Sequence, residues 1–212
     1  METKRLAQLS KLVQQSAVEA SQSLSRWLER DVRVSVDSLE QVDLESATGL
    51  VGPADETVCA CCMRIAGSIQ GHLMLSFDDA SGFAIRDALI AGQASLGSPS
   101  DTAWDELATS AVLETANIVG CAFLNSLSEH MPRRTDSLAE DASNQACIPS
   151  PPIFVRDFAA SIMEFVLLDQ IDEIHSVLMA KTHFSIEGTP VTWQLLLLPD
   201  KQCLNAIAES LG

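Results

Sequence analysis

Two stretches of this chain, 121 residues apart, carry the same strand–glycine–strand–helix order. Ile65-Ala66-Gly67 matches Ile186-Glu187-Gly188, and at the same offset Phe77 and Asp79 fall on Leu198 and Asp200. The agreement in residues and in order predicts a duplication, with Val58–Phe77 and Ser176–Leu198 as equivalent hairpins in one sheet. A long helix precedes each unit, and there the offset is 103, which sets Ala7, Lys11 and Gln14 beside Ser110, Glu114 and Asn117. The chain therefore reads as one domain over 1–212. Its pseudo-repeats are 1–92 and 101–212, and 132–150 is a loop insertion.

Periodicity supplies the elements. Leu6, Leu9, Leu12, Val13, Ala17, Ala20, Leu24, Trp27 and Leu28 recur at helical spacing within residues 3–30. Strands follow at Val32–Val36, Val58–Ile65 and Gln70–Phe77, then a short helix from Ser81 to Ile90. Gly92 to Ser100 is a connector. Asp101 is placed to cap a helix over 102–131 whose next turn carries Asp105 and Glu106, where negative charge suits the helix dipole. Pro132 to Ser150 is polar and reads as a surface loop. Beyond it come a strand over Ile153–Phe158, a helix over Ala159–Leu168, strands over Ser176–Ile186 and Val191–Leu198, and a final helix from Pro199-Asp200.

Charge and cysteine usage narrow the function classes. A net charge of −16 over 212 residues argues against nucleic acid and anionic membranes, which both require a cationic footprint. No stretch approaches the roughly 18 apolar residues of a membrane span. The polar N-terminal helix has no secretory h-region, so the expected location is the cytoplasm with reduced thiols. Cys59-Ala60-Cys61-Cys62 has a metal-site look, but on a strand Cys61 and Cys62 point to opposite faces. With no Cys-x2-Cys pair and four scattered histidines, no metal site is expected, and the cysteines read as small buried hydrophobes.

One helix carries a polar stripe. Ser110, Glu114 and Asn117 lie within an arc of about 60° at 100° per residue. Val112, Leu113, Ala116, Val119, Ala122, Phe123 and Leu127 spread over the broad opposite side, which faces a core. An acid and an amide on the wet face of a helix are ordinarily only solvated. One turn apart, however, they can offer an acceptor and a donor to a docking partner.

These residues carry a resemblance. Leu113-Glu-Thr-Ala-Asn-Ile118 with Phe123-Leu-Asn-Ser-Leu-Ser-Glu129 resembles the signature helix of the CheC/CheX/FliY chemotaxis phosphatases and its Asp/Ser-x3-Glu-x2-Asn motif. Pro151-Pro152 with the following strand and helix, and the hairpin from Phe184 to Asp200, are similar to the segments expected after it. CheC is the nearest branch on this reading, since no flagellar-switch domain follows residue 212. The resemblance implies an α+β fold: a mostly antiparallel sheet under two long amphipathic helices, with an internal pseudo-twofold.

It also implies hydrolysis of the aspartyl-phosphate of a phosphorylated CheY-type response regulator. Asn117 would position the water, Glu114 would anchor a cation of the regulator (with general base as its alternative role), and Ser110 would touch the partner at the edge of the contact. No cofactor of its own is implied, Mg being expected on the regulator. A CheD-like deamidase and a second copy in a homodimer are further partners to expect. The first helix departs from the motif, since Lys11 and Gln14 stand where Glu and Asn are required. A binding module without catalysis, for a receiver or for the deamidase, is the alternative function, and a homo-oligomeric structural module of a sensory complex is another.

Overall fold

A computed structural model describes residues 3–43, 49, 51–67, 70–90, 103–129, 147–167, 176–187 and 189–199. The elements are α1 (Thr3–Leu28), β1 (Val32–Asp43), β2 (Thr57–Gly67), β3 (Gly71–Phe77), α2 (Asp79–Ile90), α3 (Glu106–Glu129), β4 (Cys147–Pro149), β5 (Ile153–Phe158), α4 (Ala159–Leu167), β6 (Ser176–Ile186) and β7 (Thr189–Pro199). The final helix, the Gly92–Ser100 connector, Asp101 and most of the 132–150 loop lie outside the described residues.

Among the described residues, seven strands join one antiparallel sheet in the order β1-β6-β7-β3-β2, with β4 and β5 sharing the outer edge of β2. The hairpins related by the offset of 121 lie side by side, joined where β3 pairs with β7. Alternation along the strands sorts the residues to two faces. Cys59, Cys61, Met63, Leu73, Leu75, Phe77, Trp193 and Leu195 face α1, α2 and α3. Ala60, Cys62, Met74, Met179, Leu196 and Leu198 face the other way, toward Ile162, Met163 and Val166 of α4. Cys61 and Cys62 thus stand on opposite faces, and burial pushes the Cys62 thiol up to about 12.

Three local expectations need correction. The end of the 132–150 loop is a strand, because residues 147–149 complete the edge of β2. Helix α3 starts at Glu106, and its cap is Asp105, whose Oδ1 accepts from the Ala108 N–H at 2.7 Å. The same helix is also long and apolar enough, on average hydropathy, to cross a membrane. Its mean hydropathy is high although Glu114 interrupts the apolar run in the middle of the helix. More than half of that stretch is buried inside the fold.

Gly120 sets how close α3 comes to the sheet. A Cβ there would lie 2.6 Å from Cε of Met63 and 3.2 Å from Cδ2 of Leu73. Gly120→Leu is therefore expected to overpack this contact and to lower stability by about 1–3 kcal/mol. Equilibrium denaturation checks this, and an unchanged midpoint would show that the layers can separate without cost.

Candidate functional site

Helix α3 divides as its spacing requires. Val112, Val119 and Phe123 are buried against the sheet, while Ser110 and Glu114 are exposed and Asn117 is partly exposed. Thr115, between the two motif residues, is buried and returns its hydroxyl to the Ala111 carbonyl at 2.8 Å, so it is spent within the helix. Glu114 is the one charged side chain between Glu106 and Glu129.

The stripe faces a groove of about 510 Å³ lined by Ser110, Leu113, Glu114, Asn117 and the segment 149–152. That opposite wall exists because the sheet edge breaks there. Strand β5 pairs with β2 from Thr57 to Cys62 and β4 pairs with it from Ile65 to Gly67. Between them Pro151 and Pro152 lack the N–H that a continuous ladder needs. Ser150 bridges the break: its N–H donates to the Arg64 carbonyl at 2.8 Å, and its Oγ accepts from the Arg64 N–H at 3.0 Å. Ile148 and Ile153, on either side of the break, are 51% and 58% exposed. The groove therefore has one polar wall with a single charge and one stiff, apolar wall.

Asn117 has a local partner. The Cys121 thiol, one turn on, donates to its Oδ1 at 3.7 Å. Burial, and after it the charge of Glu114, raises the Cys121 thiol above its ordinary range, so it stays a donor at neutral pH. This contact turns Nδ2 of the amide away from Cys121 and leaves Oδ1 a second lone pair. Cys121, expected with the other cysteines to be a small buried hydrophobe, is instead half-buried and meets Asn117 one turn away.

A second cluster ties the start of α2 to β5 and to the residues before α3. The Asp79 carboxylate at the start of α2 accepts two bonds from Arg156 of β5, Nε at 2.9 Å and Nη2 at 2.8 Å. It accepts another from the indole of Trp104 at 2.8 Å and one from the Cys59 thiol at 3.2 Å. The Arg156 bond above all, with those of Trp104 and Cys59, holds the carboxyl well below the usual range against a smaller opposing effect of burial. Arg156 and Trp104 carried no signal in the sequence, because each is an isolated residue of its type.

On α1, Lys11 and Gln14 are exposed at the positions matched to Glu114 and Asn117. Among the described residues no group of three His, Cys, Asp or Glu side chains is placed to hold a metal ion.

Comparison of the whole chain finds the fold in known structures. Thermotoga maritima FliY superposes with a TM-score of 0.70 at 16% identity, over 100% of this chain and 97% of that one. The FliM middle domain of Vibrio alginolyticus gives 0.65 at 11% identity, over 95% and 99%. FliM in the FliG–FliM complex of H. pylori gives 0.66 at 11% identity, over 99% and 100%. The chain thus has the α+β fold of FliY and the FliM middle domain, where its motif pointed to CheC. No protein-family model and no curated protein matches it.

Proposed function

We propose that the protein is a phosphatase for the aspartyl-phosphate of a CheY-type response regulator, acting at the groove between α3 and residues 149–152. The observation that carries this reading is the placement of Glu114 and Asn117 side by side along one open groove. The fold, shared with FliY, supports it.

The chemistry asks little of the protein. An acyl phosphate is already activated, and the resemblance implies that the regulator supplies the metal and the lysine that neutralise the phosphoryl oxygens. A water then attacks phosphorus in line, the bond from phosphorus to the aspartyl oxygen breaks, and the electron pair leaves with the carboxylate. The proton of the attacking water ends on the released phosphate. What remains is aim, and holding a reactant at the right distance and angle is worth several orders of magnitude. Asn117 suits this task, because its free Oδ1 lone pair accepts from the water while Nδ2 donates to a phosphoryl oxygen. Glu114 docks a cationic group of the regulator, and Ser110 adds a polar contact at the end of the groove.

The test is hydrolysis of a phosphorylated receiver from the same organism by trace and by stoichiometric amounts of this protein. Many turnovers per molecule are expected. A rate that saturates at one equivalent would instead favour a binding module. That second reading has an observation of its own, since H. pylori FliM, which shares the fold, is seen in complex with FliG.

The α1 positions are expected to be inactive. Lys11 puts a cation where the anchor must meet a cation, and like charges repel a partner. Gln14 displaces the amide by one methylene, and about 1 Å of misplacement costs on the order of a hundredfold in a positioning mechanism. Lys11→Ala and Gln14→Ala should each change kcat/KM by less than about twofold. Steady-state kinetics on the phosphorylated receiver would show it.

A further inference from the structure

The two walls of the groove belong to different parts of the chain, and both are tied to the same side chain. One wall is the N-terminal half of α3, which begins two residues after Trp104. The other is 149–152, which runs into β5 and so to Arg156. Trp104 and Arg156 both donate to Asp79, within 2.8–2.9 Å. Phe154 of β5 also packs on Trp104, with ring centres 4.5 Å apart.

The seat for Trp104 is shaped for it. A Cβ on Gly82 of α2 would lie 2.3 Å from Cη2 of the indole, so only glycine leaves the ring room to reach Asp79. The far end of the 147–156 segment is held separately, by the Cys147 N–H on Ser128 Oγ at 3.1 Å. Loss of the Asp79 bonds would therefore remove the side-chain tie shared by the two walls, leaving the edge segment only its ladder with β2, the Ser150–Arg64 bonds and the Ser128 contact.

We propose that Asp79 is a positioning residue for the groove: its one carboxylate joins the start of α3 to the sheet edge and so fixes the spacing between Asn117 and the proline wall. The consequence for turnover rests on the phosphatase reading above, whereas the positional claim does not. The surrounding donors keep the carboxyl ionised, so the tie holds at neutral pH. It is lost only as pH falls through the depressed carboxyl value, below the ordinary carboxylate range.

Hydrogen exchange and kinetics on the full chain test this together. Asp79→Ala removes every acceptor at once, whereas asparagine would keep one oxygen for Trp104. It should speed amide exchange on the order of tenfold in both 103–110 and 153–158, with β6 and β7 unchanged. Trp104→Phe and Gly82→Ala should loosen the 103–110 side alone, and Arg156→Gln the 153–158 side alone. In the Asp79→Ala background, Trp104→Phe and Arg156→Gln should add nothing further. With a phosphorylated receiver, Asp79→Ala should raise KM about tenfold while kcat falls by less than about threefold.

Loosening of only one segment, or of the whole sheet, would overturn the proposal, as would two loosened walls with KM unmoved. If Asp79→Ala does not fold, the side-specific effects of Trp104→Phe and Arg156→Gln decide, and equal loosening of both segments by each would overturn it. A wild-type protein with no turnover would count against the phosphatase reading and leave the exchange result to decide this one.

Discussion

Asn117→Ala is expected to lower kcat for dephosphorylation of the receiver by about a hundredfold or more, with thermal stability unchanged. The side chain is partly exposed, and its neighbours on the buried face of α3, Val112, Val119 and Phe123, pack without it. Alanine is also the better helix former, so the substitution carries no penalty in the backbone. What disappears is an amide that can accept from a water and donate to a phosphoryl oxygen at once, and no neighbouring group replaces both functions. Because the loss concerns aim rather than docking, KM should move little. Substantial residual turnover in Asn117→Ala, removed only when Gln14 is changed as well, would mean that α1 carries a working site and that the two helices were assigned the wrong way round.

Reversing the charge at Glu114 is the second large effect, and it falls on docking. Glu114→Lys should raise KM for the phosphorylated receiver by roughly tenfold or more, with kcat at saturation much less affected. Glu114 is exposed and stands alone as a charge in the middle of a helix otherwise built of apolar and small polar residues. An exposed site tolerates either charge in the folded state. A partner that brings a cation to the same place does not, and repulsion there slows association. The wild-type KM should also rise with ionic strength, since an exposed pair is screened within about 10 Å at 0.1 M salt, and that dependence should reverse in Glu114→Lys, where salt relieves the repulsion. A collapse of kcat at unchanged KM would show instead that Glu114 acts on the water as a general base.

The two variants separate the two halves of the proposed chemistry, because one acts on the amide and the other on the carboxylate. Both side chains could be placed from the sequence, since a helix of 3.6 residues per turn brings positions three and four apart onto one face whatever it packs against. The same local rule assigned Val112, Val119 and Phe123 to the buried side. The period of two did likewise for Cys61 and Cys62. The strands of both hairpins were legible for that reason, as was the antiparallel α+β class.

Failures of the reading occurred where a residue's role is set by something distant. Residues 147–149, a short Cys-Ile-Pro run at the end of a polar stretch, read as loop, and they become a strand because the edge of β2 offers them unpaired backbone groups. Strand β1 continues from Val36 to Asp43, past a register shift, because β6 pairs with it along that length. Asp105 caps α3, because the helix starts at Glu106 and a cap must stand directly before the first turn.

Sequence by itself determined which side of α3 meets water and therefore that Ser110, Glu114 and Asn117 share a surface. Only the tertiary structure decided that this surface is a groove. Its second wall comes from prolines at the broken edge of the sheet, more than thirty residues along the chain. The Asp79 carboxylate that joins both walls lies elsewhere again, at the head of α2. Periodicity is a property of neighbouring residues and survives any packing, whereas a groove is a distance between segments, fixed by pairing and by hydrogen bonds that no local pattern encodes.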